Sequence, residues 1–338
     1  MKALVLEQKE AVSIQERPMP QRKPGEALVR IKAASVCGSD ISAYRGKGVQ
    51  VEYPLVLGHE VVGEIVEIDS DNPGGFGPGD RVILHPYIYC GQCYPCSLGQ
   101  TNCCENLKVL GVQTGGAMQE YFCHPHQLLH KLPDSIPWEL APLAEPLVIA
   151  IHGLHRAKVK AGEHVVIIGA GPIGIMAAMV AKKYGATPIL LDIVDARLDI
   201  AKELGIPYTI NTQTENAEEA IRELTAGRMA EAILEMSGAH QSVQNCLVYS
   251  SYCSRIALTG WPTGETPLLT PLITRKELEI YGARTGADEF PEALELIASG
   301  DVDAKAIASL VVPFDELPQA LVEQAEHPEK YLKVVALF

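Results

Sequence analysis

Two rhythms of hydrophobic and polar residues divide the chain. Up to about Leu147, apolar residues come in short β-branched runs, among them Ala27-Leu-Val-Arg-Ile31 and Glu60-Val-Val-Gly-Glu-Ile-Val-Glu-Ile68, separated by Gly- and Pro-rich turns. This pattern predicts an irregular, mainly β unit, with Met1 to Glu7 as its first short strand. From about Glu163 the rhythm changes to alternating strand and helix. His164-Val-Val-Ile-Ile168 reads as a buried strand, Pro172 to Tyr184 as a helix closed by Gly185, Pro188-Ile-Leu-Leu-Asp192 as the next strand, and Ala196 to Leu204 as a helix closed by Gly205. Further strands are expected at Glu231 to Met236, Arg255 to Thr259 and Leu278 to Gly282, which together predict a doubly wound parallel sheet.

The 338 residues, 47% of them hydrophobic, can bury a large core and suggest about two domains. A net charge of −14 argues against nucleic acid as a partner, because phosphate binding is driven by clustered Lys and Arg. No apolar run approaches the roughly 20 residues that span a bilayer, and the N-terminus does not read as a signal peptide, so the expectation is a soluble, cytoplasmic protein without a membrane partner.

The most specific chemical signal is Cys90-Gly-Gln-Cys93-Tyr-Pro-Cys96, followed after seven residues by Cys104. Three cysteines at this spacing plus a fourth shortly after can close a tetrahedron around one Zn²⁺, stapling a small lobe at about residues 88–106. Disulfides are disfavoured in a chain with no sign of export. Cys103 adjoins Cys104, and spacing alone leaves either as the fourth ligand.

Gly169-Ala-Gly171-Pro172-Ile173-Gly174 follows a predicted strand and opens a predicted helix, the context of a dinucleotide fingerprint. Gly169 permits the tight turn, Gly171 lets the backbone approach a pyrophosphate, and Gly174 lets helix and strand pack closely. Asp192, about 20 residues on, can accept hydrogen bonds from ribose hydroxyls and repel a 2′-phosphate. NAD is therefore favoured, although the nearby Arg197 is compatible with NADP.

The first half holds a second set of metal-binding residue types: Cys37 in Cys37-Gly-Ser-Asp40, His59 and Glu60 in Gly58-His-Glu60, and Glu145 in Leu143-Ala-Glu-Pro-Leu147. A thiolate, an imidazole and a carboxylate leave an exchangeable position on Zn²⁺, which a catalytic site requires and a four-cysteine site lacks.

With these motifs the sequence resembles the zinc-containing medium-chain dehydrogenases, more particularly the sorbitol and L-threonine dehydrogenase branch with its bacterial sugar-acid relatives. The resemblance covers essentially the whole chain, including Gly115-Gly-Ala-Met-Gln-Glu-Tyr121. It implies a GroES-like, mainly β catalytic domain (1–147), a Rossmann NAD-binding domain (148–285), and a C-terminal segment (286–338) returning to the catalytic domain, with the active site in the cleft. It also implies a catalytic zinc on Cys37, His59, Glu60 and Glu145, the two glutamates exchanging roles, a structural zinc on Cys90, Cys93, Cys96 and Cys104, and a homodimer or homotetramer.

Two positions depart from the family pattern. Ser42 stands where polyol and threonine dehydrogenases commonly carry a relay histidine, so the proton path must differ; Ser39, whose hydroxyl can pass a proton, is the candidate. At Arg284-Thr-Gly286 the sorbitol dehydrogenase Phe-Arg-Tyr is missing, and Arg284 instead suits a substrate carboxylate, with Arg45 as the second candidate cation. The leading expectation is a secondary alcohol dehydrogenase for a polyol or a hexonate such as L-gulonate or L-galactonate. An L-threonine or amino-alcohol dehydrogenase is the alternative within the branch. From another class comes a zinc and nucleotide binder or a thiol redox sensor using Cys103, Cys123, Cys246 and Cys253.

Overall fold

The computed structural model describes residues 1–47 and 51–338. The chain forms two compact units, one made of residues 1–145, 290–300 and 304–338, the other of residues 146–289 and 301–303. The compact units divide after Glu145 and after Glu289. The first crossing comes after the opening residues of the helix Ala144–Arg156, whose apolar run continues through both sides and conceals it from a reading by texture.

The first unit is built on a seven-stranded sheet. Its path runs Leu129–Lys131, Arg81–Leu84, Glu60–Glu67, Glu26–Ser35, Val334–Leu337 and Leu310–Pro313, with Tyr121–Pro125 pairing against the first half of Glu26–Ser35. Strand Glu26–Ser35 is the axis of this unit. Val335 stands opposite Ser35 and Val61 opposite Ala34, so the chain's last strand and the strand carrying Glu60 flank it on either side. Leu4, Val29, Ile31, Leu57, Val61 and Val334 meet in the buried core. A short ladder, Tyr87–Ile88 against Lys108–Val109, frames the cysteine lobe.

The second unit has six parallel strands in the order Tyr208–Asn211, Thr187–Asp192, His164–Ile168, Ala230–Glu235, Ser250–Leu258, Glu279–Gly282. In chain order this is 3-2-1-4-5-6, the doubly wound arrangement, and the direction of winding reverses beside the first strand. Val166, Ile168, Ile189, Leu191, Ile233 and Ile256 form its buried centre. The edge strand Tyr208–Asn211 is not among the strands expected from the sequence, and the starts of the fifth and sixth strands differ from the expectation. The fifth strand begins at Ser250, not Arg255, because Ser254 donates its hydroxyl to the Ala230 carbonyl and a register shift carries the pairing across the polar stretch. The sixth begins at Glu279, because Leu278 still bonds back to Ile273 at the end of the helix Thr270–Lys276, past a left-handed Glu277. Among the described residues no helix is long and apolar enough to cross a membrane.

Candidate catalytic and metal centres

Cys37 caps the helix Gly38–Tyr44 at the end of strand Glu26–Ser35, and its own N–H donates to Asp40 Oδ2 at 2.9 Å. Glu60 opens the neighbouring strand Glu60–Glu67, and His59 immediately precedes it. Donor atoms of Cys37, His59 and Glu60 all lie within 4.8 Å of one another. His59, Glu60, Asp40 and Glu145 are buried. Each carboxylate has a different set of partners. Glu60 accepts from the Ser35 hydroxyl on Oε2 and from the Lys333 ammonium on Oε1. Glu145 accepts from the Tyr87 hydroxyl on Oε1 only.

Burial pushes the Glu145 carboxyl up to about 7, with the Glu60 charge acting in the same direction and His59 and Tyr87 against it. Burial likewise raises Asp40, and it raises Tyr87 well above its ordinary range with Glu145 reinforcing it. For His59 burial favours the neutral ring, but the negative fields of Cys37, Asp40 and Glu145 outweigh it and hold the imidazole well above its usual value. A buried cluster with this many acidic groups calls for positive charge beyond the Lys333 ammonium on Glu60. Three buried atoms, Glu145 Oε2, His59 Nδ1 and Asp40 Oδ1, have no hydrogen-bond partner among the described residues. An unsatisfied buried polar atom costs about 1–3 kcal/mol, so a thiolate, an imidazole and carboxylates left in this condition fit a metal ion.

The four-cysteine lobe is equally specific. The Sγ atoms of Cys93 and Cys96 are 3.4 Å apart, Cys93 and Cys104 3.8 Å, and Cys90 and Cys104 3.5 Å. A tetrahedron with Zn–S bonds of about 2.3 Å has edges of about 3.8 Å, so the spacing suits zinc and excludes disulfide bonding. All nine cysteines are free. The 3₁₀ turn Thr101–Cys103 decides which of the adjacent pair joins: Cys104 is buried in the cluster and accepts from the N–H groups of Cys90 and Asn106, both at 3.3 Å, while Cys103 is exposed. Backbone N–H donors from Gln92 and Cys93 lower the Cys90 thiol to about 6, and burial with the neighbouring sulfurs pushes Cys96 up to about 12.

In the second unit, Gly169 has φ +110°, and a side chain at Gly174 would place its Cβ 1.8 Å from the Gly169 carbonyl oxygen. At Gly171, the N-cap of the helix Pro172–Lys183, a Cβ would meet nothing within 4 Å, so the approach to the helix N-terminus is open. Asp192 holds this turn from the next strand, accepting from Ala170 N at 2.5 Å, Ile193 N at 2.7 Å and Val194 N at 3.0 Å; Arg197 lies 3.9 Å from its Oδ2.

Residues 23–134 match the alcohol dehydrogenase GroES-like domain, and residues 172–299 match the zinc-binding dehydrogenase domain. The chain is 51% identical over 338 residues to an uncharacterized zinc-type alcohol dehydrogenase-like protein of Haemophilus influenzae, covering 100% of this chain and 99% of that one. It is 33% identical to sorbitol dehydrogenase of Bacillus subtilis (99% and 96% covered) and 32% identical to L-galactonate-5-dehydrogenase of Escherichia coli (100% and 99% covered). The chain belongs to the zinc-type alcohol dehydrogenases.

Two solved structures bring in the cofactor. A short chain alcohol dehydrogenase (rspB) from Escherichia coli CFT073, complexed with NADH, superposes with a TM-score of 0.93 at 30% identity, with 100% and 99% of the two chains covered. A zinc-binding dehydrogenase from Sinorhizobium meliloti 1021, bound to NADP, gives 0.92 at 26% identity, with 100% and 99% covered. As a zinc-type alcohol dehydrogenase the protein is an oxidoreductase acting on CH–OH groups with a nicotinamide cofactor.

Within this zinc-type dehydrogenase the remaining predicted residues fall in distinct places. Ser39 Oγ lies 3.5 Å from His59 Nε2. Ser42 turns its hydroxyl back onto the Gly38 carbonyl at 2.9 Å, one helical turn away. Arg45 donates to the Ala325 carbonyl. Arg284 stands just past the last parallel strand, beside a recess of about 240 Å³ lined by Leu258, Gly260, Trp261 and Pro262. Sequence reasoning missed Ser35, Tyr87, Asp40 and Lys333 as partners of the cluster. Asp40 alone carried a local signal, a carboxylate three residues beyond the N-cap, as in a capping box.

Proposed function

We propose that this zinc-type dehydrogenase oxidises a secondary hydroxyl of a polyhydroxy acid or polyol, a hexonate such as L-gulonate or L-galactonate first among them, with NAD as hydride acceptor. The carrying observation is the set of partly buried Cys37 with buried His59 and Glu60, three donors within 4.8 Å of one another, together with a buried Glu145 whose Oε2 has no hydrogen-bond partner among the described residues and can exchange with Glu60. The reaction converts R₂CH–OH and NAD⁺ into R₂C=O, NADH and one proton. Bound zinc supplies activation of the hydroxyl at neutral pH, and the nicotinamide supplies the acceptor.

The chain's own residues do the rest. Cys37, His59 and a glutamate hold the metal, and Asp40 fixes the Cys37 backbone that presents one of these ligands. Ser39, beside His59, receives the hydroxyl proton and passes it toward solvent, since Ser42 is engaged within its helix. Gly169, Gly171, Pro172, Ile173 and Gly174 cradle the pyrophosphate at the helix N-terminus, and Asp192 takes the adenosine ribose and disfavours a 2′-phosphate, while Arg197 stays close enough for partial NADP use. Cys90, Cys93, Cys96 and Cys104 hold a second, structural zinc.

Arg284 is the proposed partner of a substrate carboxylate, with Arg45, which donates to the Ala325 carbonyl, as the second candidate. The sugar-acid reading is supported by the similarity to L-galactonate-5-dehydrogenase, and the polyol reading by that to sorbitol dehydrogenase. We further propose a cytoplasmic homodimer or homotetramer, which sedimentation would refute by finding only monomer. The direct test follows NADH absorbance with hexonates, hexitols and L-threonine. Faster oxidation of hexonates supports the proposal, faster hexitols move it to the polyol class, and faster threonine overturns it.

A further inference from the structure

Lys333 enters the catalytic cluster from the far end of the chain. Its buried ammonium donates to Glu60 Oε1 and, at 3.1 Å, to the carbonyl of Val36. Val36 immediately precedes Cys37 and Glu60 immediately follows His59, so one side chain ties together the two segments that carry the ligands. Its own place is set by the sheet. Val335 pairs with Ser35, and the Val36 N–H donates to the Val334 carbonyl at 2.9 Å.

The two glutamates are therefore unequal. Both oxygens of Glu60 are engaged, one by the Ser35 hydroxyl and the other by a cation, whereas Glu145 keeps one buried oxygen without a hydrogen bond among the described residues. Electron density that a carboxylate shares with an ammonium is withdrawn from a metal ion, and charge-assisted hydrogen bonds are the stronger kind. A merely structural explanation is weak, because a buried ion pair often contributes no more to stability than apolar side chains of the same volume.

We propose that Lys333 is a positioning residue that keeps Glu60 a weak, releasable ligand of the catalytic zinc. The inference rests on the catalytic-zinc reading given above. In Lys333→Met the long apolar stem stays and the competing cation goes, so Glu60 binds the metal more tightly. Ligand exchange then slows even though the site remains full.

The test measures zinc transfer from the holoenzyme to a chelator, the phase absent in Cys37→Ser being assigned to the catalytic site, together with the visible spectrum of the cobalt-substituted enzyme. Lys333→Met should slow that phase by about tenfold or more, the change expected when one charge-assisted hydrogen bond no longer competes. It should shift the cobalt bands and lower kcat more than it raises KM. Lys333→Arg should restore wild-type behaviour, and adding Glu60→Gln to Lys333→Met should remove the slowing. Ser35→Ala, which removes the other donor, should act in the same direction with smaller size, and it serves if Lys333→Met does not fold. Zinc release that is unchanged or faster in Lys333→Met, or in Ser35→Ala where that variant stands in, overturns the proposal. A wild type holding a single zinc, on its four cysteines, overturns instead the reading beneath it.

Discussion

The Tyr87 hydroxyl donates to Oε1 of Glu145, while Oε2 of the same buried carboxylate has no hydrogen-bond partner among the described residues. One oxygen is thus anchored and the other presented. Anchoring a carboxylate through a single oxygen fixes its direction without saturating it, which suits the exchangeable ligand role proposed for Glu145.

Tyr87→Phe should therefore leave the fold intact and loosen Glu145. The hydroxyl bond opposes the effect of burial, so its loss moves the carboxyl further above about 7. We expect kcat/KM to fall roughly tenfold at pH 7, in line with loss of one hydrogen bond to a charged group. The acid limb of the pH–rate profile should move to higher pH. Unchanged kinetics would remove Glu145 from the reaction.

Metal counts separate the two centres. Cys37→Ser or His59→Ala should abolish turnover and leave one zinc per chain with near-normal melting, because an open catalytic site contributes less to folding than a closed four-cysteine site. Cys93→Ser should instead lose the structural zinc and lower the Tm. Elemental analysis beside calorimetry checks both, and a Cys93→Ser protein with two zincs would refute the assignment of the lobe.

Asp192 joins a structural contact to the proposed ribose contact, and substitutions can separate the two. Its carboxylate accepts from Ala170 N in the glycine turn and from Ile193 N and Val194 N just past its own strand, so Asp192→Ala should raise the KM for NAD by about tenfold through loss of the Ala170 contact as well as the proposed ribose contact. Asp192→Asn retains much of the shape without the charge, and should chiefly relax discrimination against NADP. Wild-type preference for NADP would contradict this account.

Arg284→Met should penalise hexonates relative to neutral hexitols by about ten- to a hundredfold in kcat/KM, the range for a desolvated charge-assisted pair. Arg45, the second candidate, gives one N–H to the Ala325 carbonyl, and the same comparison in Arg45→Met tests its claim. Equal losses on both substrate classes in Arg284→Met would leave the carboxylate without its partner.

His124 predicts an acid-sensitive fold. Burial lowers its imidazole to about 4, from an ordinary value of 6.5, despite the hydrogen bond between Nε2 and the His85 carbonyl. Between those two values the unfolded chain binds a proton that the folded chain refuses. The stability it contributes is therefore complete above about pH 6.5 and falls as the pH drops toward 4, by at most about 3 kcal/mol. Urea unfolding of wild type and His124→Gln across this window should show a shallower pH slope in the variant, and parallel slopes would exclude His124 as the cause.

Chemistry that depends on neighbours in the chain was legible in the sequence. Cys90, Cys93 and Cys96 share one turn, Gly169 to Gly174 share one strand-to-helix junction, and His59 and Glu60 are adjacent. For each, spacing alone limits the geometry. Five of the six parallel strands were legible for the same reason, since buried strands such as His164–Ile168 are continuous apolar runs, whereas the short, half-exposed edge strand Tyr208–Asn211 carries no such run. The start of the fifth strand was not, because Ser250 to Ser254 is polar and joins the sheet only through a hydroxyl bond and a register shift.

Tertiary structure decided what spacing leaves open. It chose Cys104 over Cys103 by one 3₁₀ turn, engaged Ser42 and Arg45 with backbone carbonyls, and set different partners on Glu60 and Glu145. Tyr87 is 58 residues from Glu145, and Lys333 is 273 residues from Glu60. No periodicity links such positions. Lys333 reaches Glu60 because the last strand pairs antiparallel with Glu26–Ser35 in one register, and a slip of one residue would turn its side chain to the opposite face of the sheet.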